Sequence, residues 1–254
     1  QIKKKKVAVS GDIGCYTLGF LPPLSALDFC GCMGASIGVA HGAAKAEIKE
    51  RVVAVLGDST FFHTGLPALA NVAYNRSNVL TIILDNRTTA MTGHQENPGS
   101  GRTLQGQPAG VLDFEAVCRG LGIKHVAVVD AYDNDAVEHA FSALMHTNEP
   151  AVLITRRPCA LLPDVRRQYV PLAVLEEKCN GCGICFRIGC PAILKSSEID
   201  PENHKALALI DPAICTGCEV CSQICPHDAI PTRDQMRLLE DDGSHASCPT
   251  EGSR

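Results

Sequence analysis

The sequence predicts an α/β fold, a doubly wound parallel sheet followed by a small α+β domain rich in cysteine. Two continuous β-branched and aliphatic runs, Val-Val-Ala-Val-Leu at 52–56 and Val-Leu-Thr-Ile-Ile-Leu at 79–84, have the composition of strands buried on both faces. Strand-like and helix-like segments alternate between residues 7 and 155, as a parallel sheet with crossover helices requires. Eight cysteines then fall in two matching runs between 179 and 225.

In chain order, Val7-Ala-Val-Ser10 reads as the first strand. Gly11-Asp12-Ile13-Gly14-Cys15-Tyr16 follows as a tight, ligand-facing loop, where glycine permits close backbone approach. Leu21-Pro-Pro-Leu24 is a loop. Cys30-Gly-Cys32-Met33-Gly34 then enters a helix expected to run to about residue 50, its small residues packing close on the sheet. Cys30 and Cys32 have poor spacing for a cluster loop and read as small buried or pocket-lining residues. The strand at 52–56 ends in Gly57-Asp58-Ser59-Thr60, His63-Thr64-Gly65 opens a helix over Leu66–Tyr74, and Val79–Asp85 is the next strand. Residues 87–110, rich in Gly, Pro, Thr and Gln, read as a long functional or mobile loop. Helix 113–121, strand 124–129, helix 134–146 and strand 151–155 complete the sheet.

The expected boundaries are 1–158 for this domain, 159–174 for a linker containing Pro163 and Pro171, and 175–235 for the cysteine domain. Residues 236–254 are acidic, small and polar and read as a disordered tail. The chain starts at Gln1 and goes directly into a strand, which reads as a fragment or a trimmed piece.

Composition narrows the function. A net charge of −5 argues against general nucleic-acid binding, and the absence of Trp leaves no base-stacking platform. The longest uncharged run, 29–44, is too short and glycine-rich to span a membrane. The lysines at 3–6 are followed by a strand-like run, so they read as a solvated edge and not as a signal peptide. Fourteen cysteines without a secretion signal point to metal or cluster ligation in a reducing compartment, the cytoplasm.

Each polar cluster sits at the carboxyl end of a strand, where open α/β sheets bind ligands. Asp58 and Asn86 offer oxygens to a hard cation such as Mg²⁺, which shares its shell with phosphates. The alternative is two loop residues that cap helices. The helix after His63-Thr64-Gly65 presents an N-terminus suited to a diphosphate.

Gly57-Asp58-Ser59, followed by Asn86 closing a hydrophobic strand, resembles the thiamine diphosphate motif. More specifically, Gly57-Asp-Ser-Thr-Phe-Phe-His-Thr-Gly65 with Leu84-Asp-Asn-Arg-Thr-Thr-Ala-Met-Thr-Gly-His-Gln95 resembles the indolepyruvate:ferredoxin oxidoreductase alpha subunit, over nearly all of residues 7–230. The resemblance implies that the Asp58 and Asn86 side chains and the Thr88 carbonyl hold Mg²⁺ against the diphosphate, with Gly57 and Ser59 beside it. It implies that Met33 and Gly34 lie under the aminopyrimidine; a plain core Met is the other reading of Met33. His63 could contact the diphosphate or the reacting carboxylate, or be structural. Thr92, Gly93 and His94 open the loop expected to cover the cofactor, with His94 either an acid–base group or a loop-stabilising residue. Cys15 matches the place of a proximal-cluster ligand in related enzymes, but the upstream Cys-x-x-Cys that would complete such a cluster is not in this sequence.

The cysteine runs carry the strongest signal. Cys179-x-x-Cys182-x-x-Cys185 precedes Cys190-Pro191, and Cys215-x-x-Cys218-x-x-Cys221 precedes Cys225-Pro226. This is the bacterial two-cluster ferredoxin pattern, in which the fourth Cys of each run ligates the other cluster. One [4Fe-4S] cluster is thus expected on Cys179, Cys182, Cys185 and Cys225, the second on Cys215, Cys218, Cys221 and Cys190. The first run has four residues before its last Cys where three is usual. Zinc, the alternative, prefers four ligands in separated pairs. Cys118, Cys159 and Cys248 lie outside both runs and read as buried or tail thiols.

A thiamine site and clusters on one chain imply oxidative decarboxylation of a 2-oxo acid, with electrons leaving one at a time to a ferredoxin. The resemblance implies aryl pyruvates as substrates and CoA as the acyl acceptor. It also implies a pyrimidine-binding domain, upstream or on another subunit, and a beta subunit. A pyruvate- or 2-oxoglutarate-type oxidoreductase and a non-catalytic electron-transfer module are the alternatives.

Overall fold

The computed structural model describes residues 7–241, so the lysines at 3–6, Cys248 and the tail beyond 241 lie outside the described residues. The chain divides into two units, 1–165 and 166–254.

The first unit is one six-stranded sheet of β1 (Val7–Gly11), β2 (Phe29–Cys30), β3 (Arg51–Gly57), β4 (Val79–Asp85), β5 (His125–Asp130) and β6 (Ala151–Arg156). The order is β2-β1-β3-β4-β6-β5, with every neighbouring pair parallel. The helices up to β6 are α1 (Ala35–Lys45), α2 (Asp58–Thr60), α3 (Leu66–Tyr74), α4 (Phe114–Gly120) and α5 (Asn134–Met145), and the short α6 (Pro163–Arg166) follows β6. On one face Ile37 and Ala40 of α1, Leu69 and Val72 of α3 and Phe114 of α4 pack on Val52, Ala54, Leu56, Ile83 and Ile154. On the other, Leu144, Ala140 and Phe141 of α5 join a core with Val7, Val53, Leu80 and Leu153. Alternate residues of β3 and β4 enter opposite cores, which is why both runs are apolar without alternation.

Caps start two helices where the pattern expects them. Asp113 accepts the Glu115 and Ala116 N–H groups, and Asp133 accepts that of Ala136. Helix α1 stops at Lys45, short of the expected 50, because Glu47 turns left-handed at φ 55°. The two-residue edge strand β2 was not expected; it pairs Phe29 with Ser10 and Cys30 with Gly11.

The chain leaves β1 toward β2 but leaves β3 toward β4, so its direction reverses between β1 and β3. Crevices that bind ligands in open α/β sheets form at such points, beyond the strands' carboxyl ends. Register brings the β3 and β4 ends level, with Gly57 opposite Leu84, and Asp85 opposite Arg156 of β6.

The second unit holds the antiparallel pair β7 (Ile193–Ile199) and β8 (Ala206–Ile210), with α7 (Val220–Ile224) and α8 (Arg233–Asp241). Two expectations need correction here. The presumed linker contains a helical turn at Pro163–Arg166, and its later part is structural: Leu172 is buried among Ala192, Ile193, Ala208 and Ile230. Just beyond it, Leu175 donates its N–H to Ala229 O at 2.8 Å. The segment expected to be disordered from 236 begins instead inside a helix. Thr232 N–H reaches Gln235 Oε1 at 2.8 Å and Gln235 N–H returns to Thr232 Oγ1 at 3.3 Å, a capping box, while Met236 packs on the core.

Candidate functional site

The β3 carboxyl end supplies an anion in an unusual setting. Asp58 is 2% exposed at the start of a helical turn that passes through a π-type turn, Phe61–Gly65, into α3. Its Oδ1 accepts the Ser59 N–H at 2.7 Å, while Oδ2 is buried with no hydrogen-bond partner. Burial pushes the carboxyl up to about 6; the Ser59 N–H opposes this, the charge of Asp85 adds to it, and the Asn97 side chain and Arg87 N–H oppose it. A buried carboxylate with one unused oxygen fits a hard cation.

Beside it, the β4 end is held by charge. Asp85, 1% exposed, accepts Arg156 Nε–H at 2.6 Å on Oδ2, and Arg87 Nε stands 3.3 Å from Oδ1 as an ion pair without a hydrogen bond. Asn86 is half-buried; its Oδ1 accepts the Thr88 N–H at 3.1 Å and its carbonyl accepts the Cys159 N–H at 2.9 Å. Between them Arg87 sits at φ 64°, and Thr88 is buried. The Arg87 N–H of this sharp turn acts on the Asp58 carboxyl, so the turn that carries Asn86 and Thr88 lies at the strand end beside it.

The third wall is the α1 N-terminus. Asp12, fully buried, accepts the Gly34 N–H at 2.6 Å and the Ser36 hydroxyl at 3.3 Å on Oδ2, and the Ile13 N–H at 2.7 Å on Oδ1. Gly34 has φ 87°, and a Cβ there would overlap the Thr64 hydroxyl, so the helix start presses directly on the turn after Asp58. Met33 at this end is 46% exposed, which excludes the core reading. Cys32 is likewise exposed and Cys30 half-buried, so neither is a buried residue.

The remaining candidates are more open. His63 lies exposed on the π-type turn, and Cys15 lies exposed at the start of a 3₁₀ turn, Cys15–Phe20. Thr92 and Gly93 are exposed, tied to Gln95 through Thr92 Oγ1 to Gln95 Oε1 at 2.6 Å. His94, at φ 62°, places Nε2 3.8 Å from Cys159 Sγ. Cys118 is fully buried, with its thiol pushed up to about 12 by burial. Sequence reasoning missed the anchoring role of Asp12, the approach of Asn97 to Asp58, the pairing of His94 with Cys159, and a bond from Gly57 N–H to Tyr16 Oη at 3.0 Å. No local pattern announces contacts this distant in sequence.

In the second unit the thiols gather in two sets. Cys179, Cys182, Cys185 and Cys225 line one pocket with Val174, Phe186 and Ile230. Burial pushes the Cys185 thiol up, and Cys179, Cys182 and Cys225 add to it. Burial pushes Cys221 up to about 12, with Cys218, Cys215 and Cys190 adding; Cys190 rises by burial and by Cys218 and Cys215. Among the described residues no three His, Cys, Asp or Glu side chains converge on a single-ion site. Ala229 N–H points to Cys225 Sγ and Leu172 N–H to Cys215 Sγ, both at 3.4 Å. At Gly217, φ 66°, a Cβ would overlap the Val170 carbonyl. Four thiols crowded in an apolar pocket are costly as thiolates unless positive charge sits among them, which is what an iron–sulfur cluster provides.

Residues 12–155 match the model of the thiamine pyrophosphate enzyme C-terminal TPP binding domain. Residues 208–230, around the second cysteine run, match the 4Fe-4S binding domain. The chain is 47% identical over 237 residues to the indolepyruvate oxidoreductase subunit IorA of Pyrococcus abyssi, covering 86% of this chain and 36% of that protein. To the subunit of the same name in Thermococcus kodakarensis it is 46% identical over 243 residues, 88% of this chain and 36% of that protein. It therefore spans about a third of the length of these curated relatives. A solved 2-oxoglutarate:ferredoxin oxidoreductase from Magnetococcus marinus aligns with TM-score 0.57 at 18% identity, over 96% of this chain and 80% of that one, a likeness of fold. Among the described residues no helix is long and apolar enough to cross a membrane.

Proposed function

The chain belongs to the thiamine pyrophosphate enzyme family, through its C-terminal TPP binding domain, and from that premise we propose that it is the diphosphate-binding and electron-exporting part of a 2-oxo acid:ferredoxin oxidoreductase. The proposed substrates are aryl pyruvates, indolepyruvate among them, with CoA as acyl acceptor; the relatives named above as indolepyruvate oxidoreductase subunits support this. Bound thiamine diphosphate supplies the chemistry that splits off CO₂ and holds the two electrons released.

The residues of this chain bind and orient. Asp58, Asn86 and the Thr88 carbonyl are the proposed Mg²⁺ ligands, and Asp12 holds the Met33-Gly34 segment in place as the cofactor's bed. Gly57, Ser59, Thr92 and Gly93 are the further proposed cofactor contacts. His63 is a candidate for contact with the diphosphate or the reacting carboxylate, and His94 for an acid–base role. Cys15 stands alone as a ligand candidate. Two [4Fe-4S] clusters are proposed, one on Cys179, Cys182, Cys185 and Cys225, the other on Cys215, Cys218, Cys221 and Cys190. Proposed partners are a pyrimidine-binding domain or subunit, a beta subunit and ferredoxin, in the cytoplasm.

The observation that carries the reading is the buried, unpartnered Oδ2 of Asp58 at the strand-end crevice, on the same chain as the four-thiol pocket. The test is viologen reduction by the complete complex, with Mg²⁺, thiamine diphosphate and CoA, over a series of 2-oxo acids. Fastest turnover with indolepyruvate is expected. Preference for pyruvate or 2-oxoglutarate would move the substrate class, and iron–sulfur binding without thiamine diphosphate binding would make this an electron-transfer module.

A further inference from the structure

We propose that Tyr16 is a positioning residue for the cation site, fixing the backbone from which Asp58 enters it; the proposal rests on Asp58 being the metal ligand. Strand β3 outruns β1: their pairing ends at Ser10 opposite Ala54, whereas β3 pairs with β4 as far as Gly57. Past Ala54, β3 therefore has no strand partner on its β1 side. Tyr16, carried on the turn after β1, reaches across that gap. Its hydroxyl oxygen accepts the Gly57 N–H at 3.0 Å and its proton points to the Ile13 carbonyl at 3.4 Å. Gly57 is the residue before Asp58, so the bond fixes the Leu56–Gly57 peptide, one link ahead of the peptide that carries Asp58.

The platform under Tyr16 is rigid. Asp12 ties the same loop to the start of α1 through Gly34. Gly14 lets the phenol ring lie across its backbone, where a Cβ would overlap the ring. Burial, then the charge of Asp12, pushes the phenol above its ordinary range, so the hydroxyl stays protonated and can donate to Ile13 while accepting from Gly57. Tyr16 thus stands in for a missing rung of the sheet at the one place where the strand hands over to the metal ligand.

The test compares Tyr16→Phe, which keeps the ring, with Thr17→Val. Thr17→Val removes two bonds of the same loop, Thr17 Oγ1 to Asp12 O and Gly14 N–H to Thr17 Oγ1, both 2.9 Å, without touching β3. Thiamine diphosphate binding to the complete protein is followed by calorimetry over a Mg²⁺ series, with iron content and circular dichroism as checks of folding. In Tyr16→Phe the Mg²⁺ concentration for half-maximal binding should rise about tenfold, the scale of one buried N–H left unpaired. Saturating Mg²⁺ should restore binding, and Thr17→Val should stay near wild type. Wild-type Mg²⁺ dependence in Tyr16→Phe, an equal shift in Thr17→Val, or a Tyr16→Phe protein that does not fold while Thr17→Val does, would each overturn the positioning role. Asp58→Ala run beside them separates the two readings: if it too binds Mg²⁺ and cofactor normally, the metal assignment falls and this inference with it.

Discussion

Arg156 Nε meets Asp85 Oδ2 at 2.6 Å across the ends of neighbouring strands β4 and β6. Arg87 takes the other oxygen of the same carboxylate. Two buried aspartates thus stand side by side, and only one is paired with cations. The unpaired charge is that of Asp58, which supports placing the proposed Mg²⁺ there and not on Asp85.

Arg156→Gln should leave Asp85 with a weaker partner in a buried setting. The expected loss is about 2 kcal/mol, the range for a hydrogen bond to a charged group. Urea unfolding of the two proteins checks this, and an unchanged midpoint would show that Arg87 alone suffices.

Asp58→Ala should abolish Mg²⁺-dependent thiamine diphosphate binding, and Asn86→Ala should weaken it, because the diphosphate then lacks its cation bridge. Normal cofactor affinity in Asp58→Ala would remove Asp58 from the site.

The same residue sets a pH dependence. Its folded carboxyl lies near 6, raised from 3.8 by burial above all. Across that interval the folded state binds more protons than the unfolded chain, so without a cation Asp58 lowers stability as pH rises from about 4 to about 6. A cation reverses the sign, since it binds the ionised form. Cofactor affinity at fixed Mg²⁺ should therefore hold at pH 7 and fall away below about 6. Mg²⁺ titrations from pH 5 to 8, with a range set about that value, read this directly; a flat profile would contradict it.

Gly34→Ala should cost about 2 kcal/mol or more, because the residue is left-handed and its Cβ meets Thr64. Cofactor binding should fall with it, since the helix start must back away from the site. Gly38→Ala in the same helix meets nothing within 4 Å and should be neutral or slightly stabilising. Thermal melts of the pair, with and without cofactor, separate helix propensity from the close approach.

Anaerobically prepared protein should carry about eight irons, the content of two tetranuclear clusters. Cys225→Ser should damage the cluster of the first cysteine run, since Cys225 lines the pocket of Cys179, Cys182 and Cys185. Electron paramagnetic resonance of the reduced variant distinguishes which signal is lost, and zinc in the metal analysis would end the cluster reading.

The sheet was legible because its strands advertise themselves: residues 52–56 and 79–84 are apolar on both faces, and Asp113 and Asp133 mark helix starts. Asp58 and Asn86 were legible as the polar residues that close those strands. What escaped reading lies in two kinds of place. Helix α8, capped by Thr232 with Gln235, runs on into the polar stretch from 236 that composition alone labels unstructured. The partners of Gly57 and Gly34, namely Tyr16 and Asp12, are set by how loops from different strands meet. Such contacts have no period and no spacing, so single-sequence reading could name the loop but not its bonds.

The interleaving of the thiols has a consequence for biosynthesis. As the polypeptide emerges, Cys179, Cys182 and Cys185 come early, but the pocket they share is not closed until Cys225 has been made. The set built on Cys215, Cys218 and Cys221 has waited since Cys190, and it is complete a few residues sooner. Synthesis interrupted anywhere between the two runs thus leaves neither thiol set whole. Loading of the proposed clusters therefore has to await the second cysteine run, by which time the parallel sheet, made earlier, can already have folded.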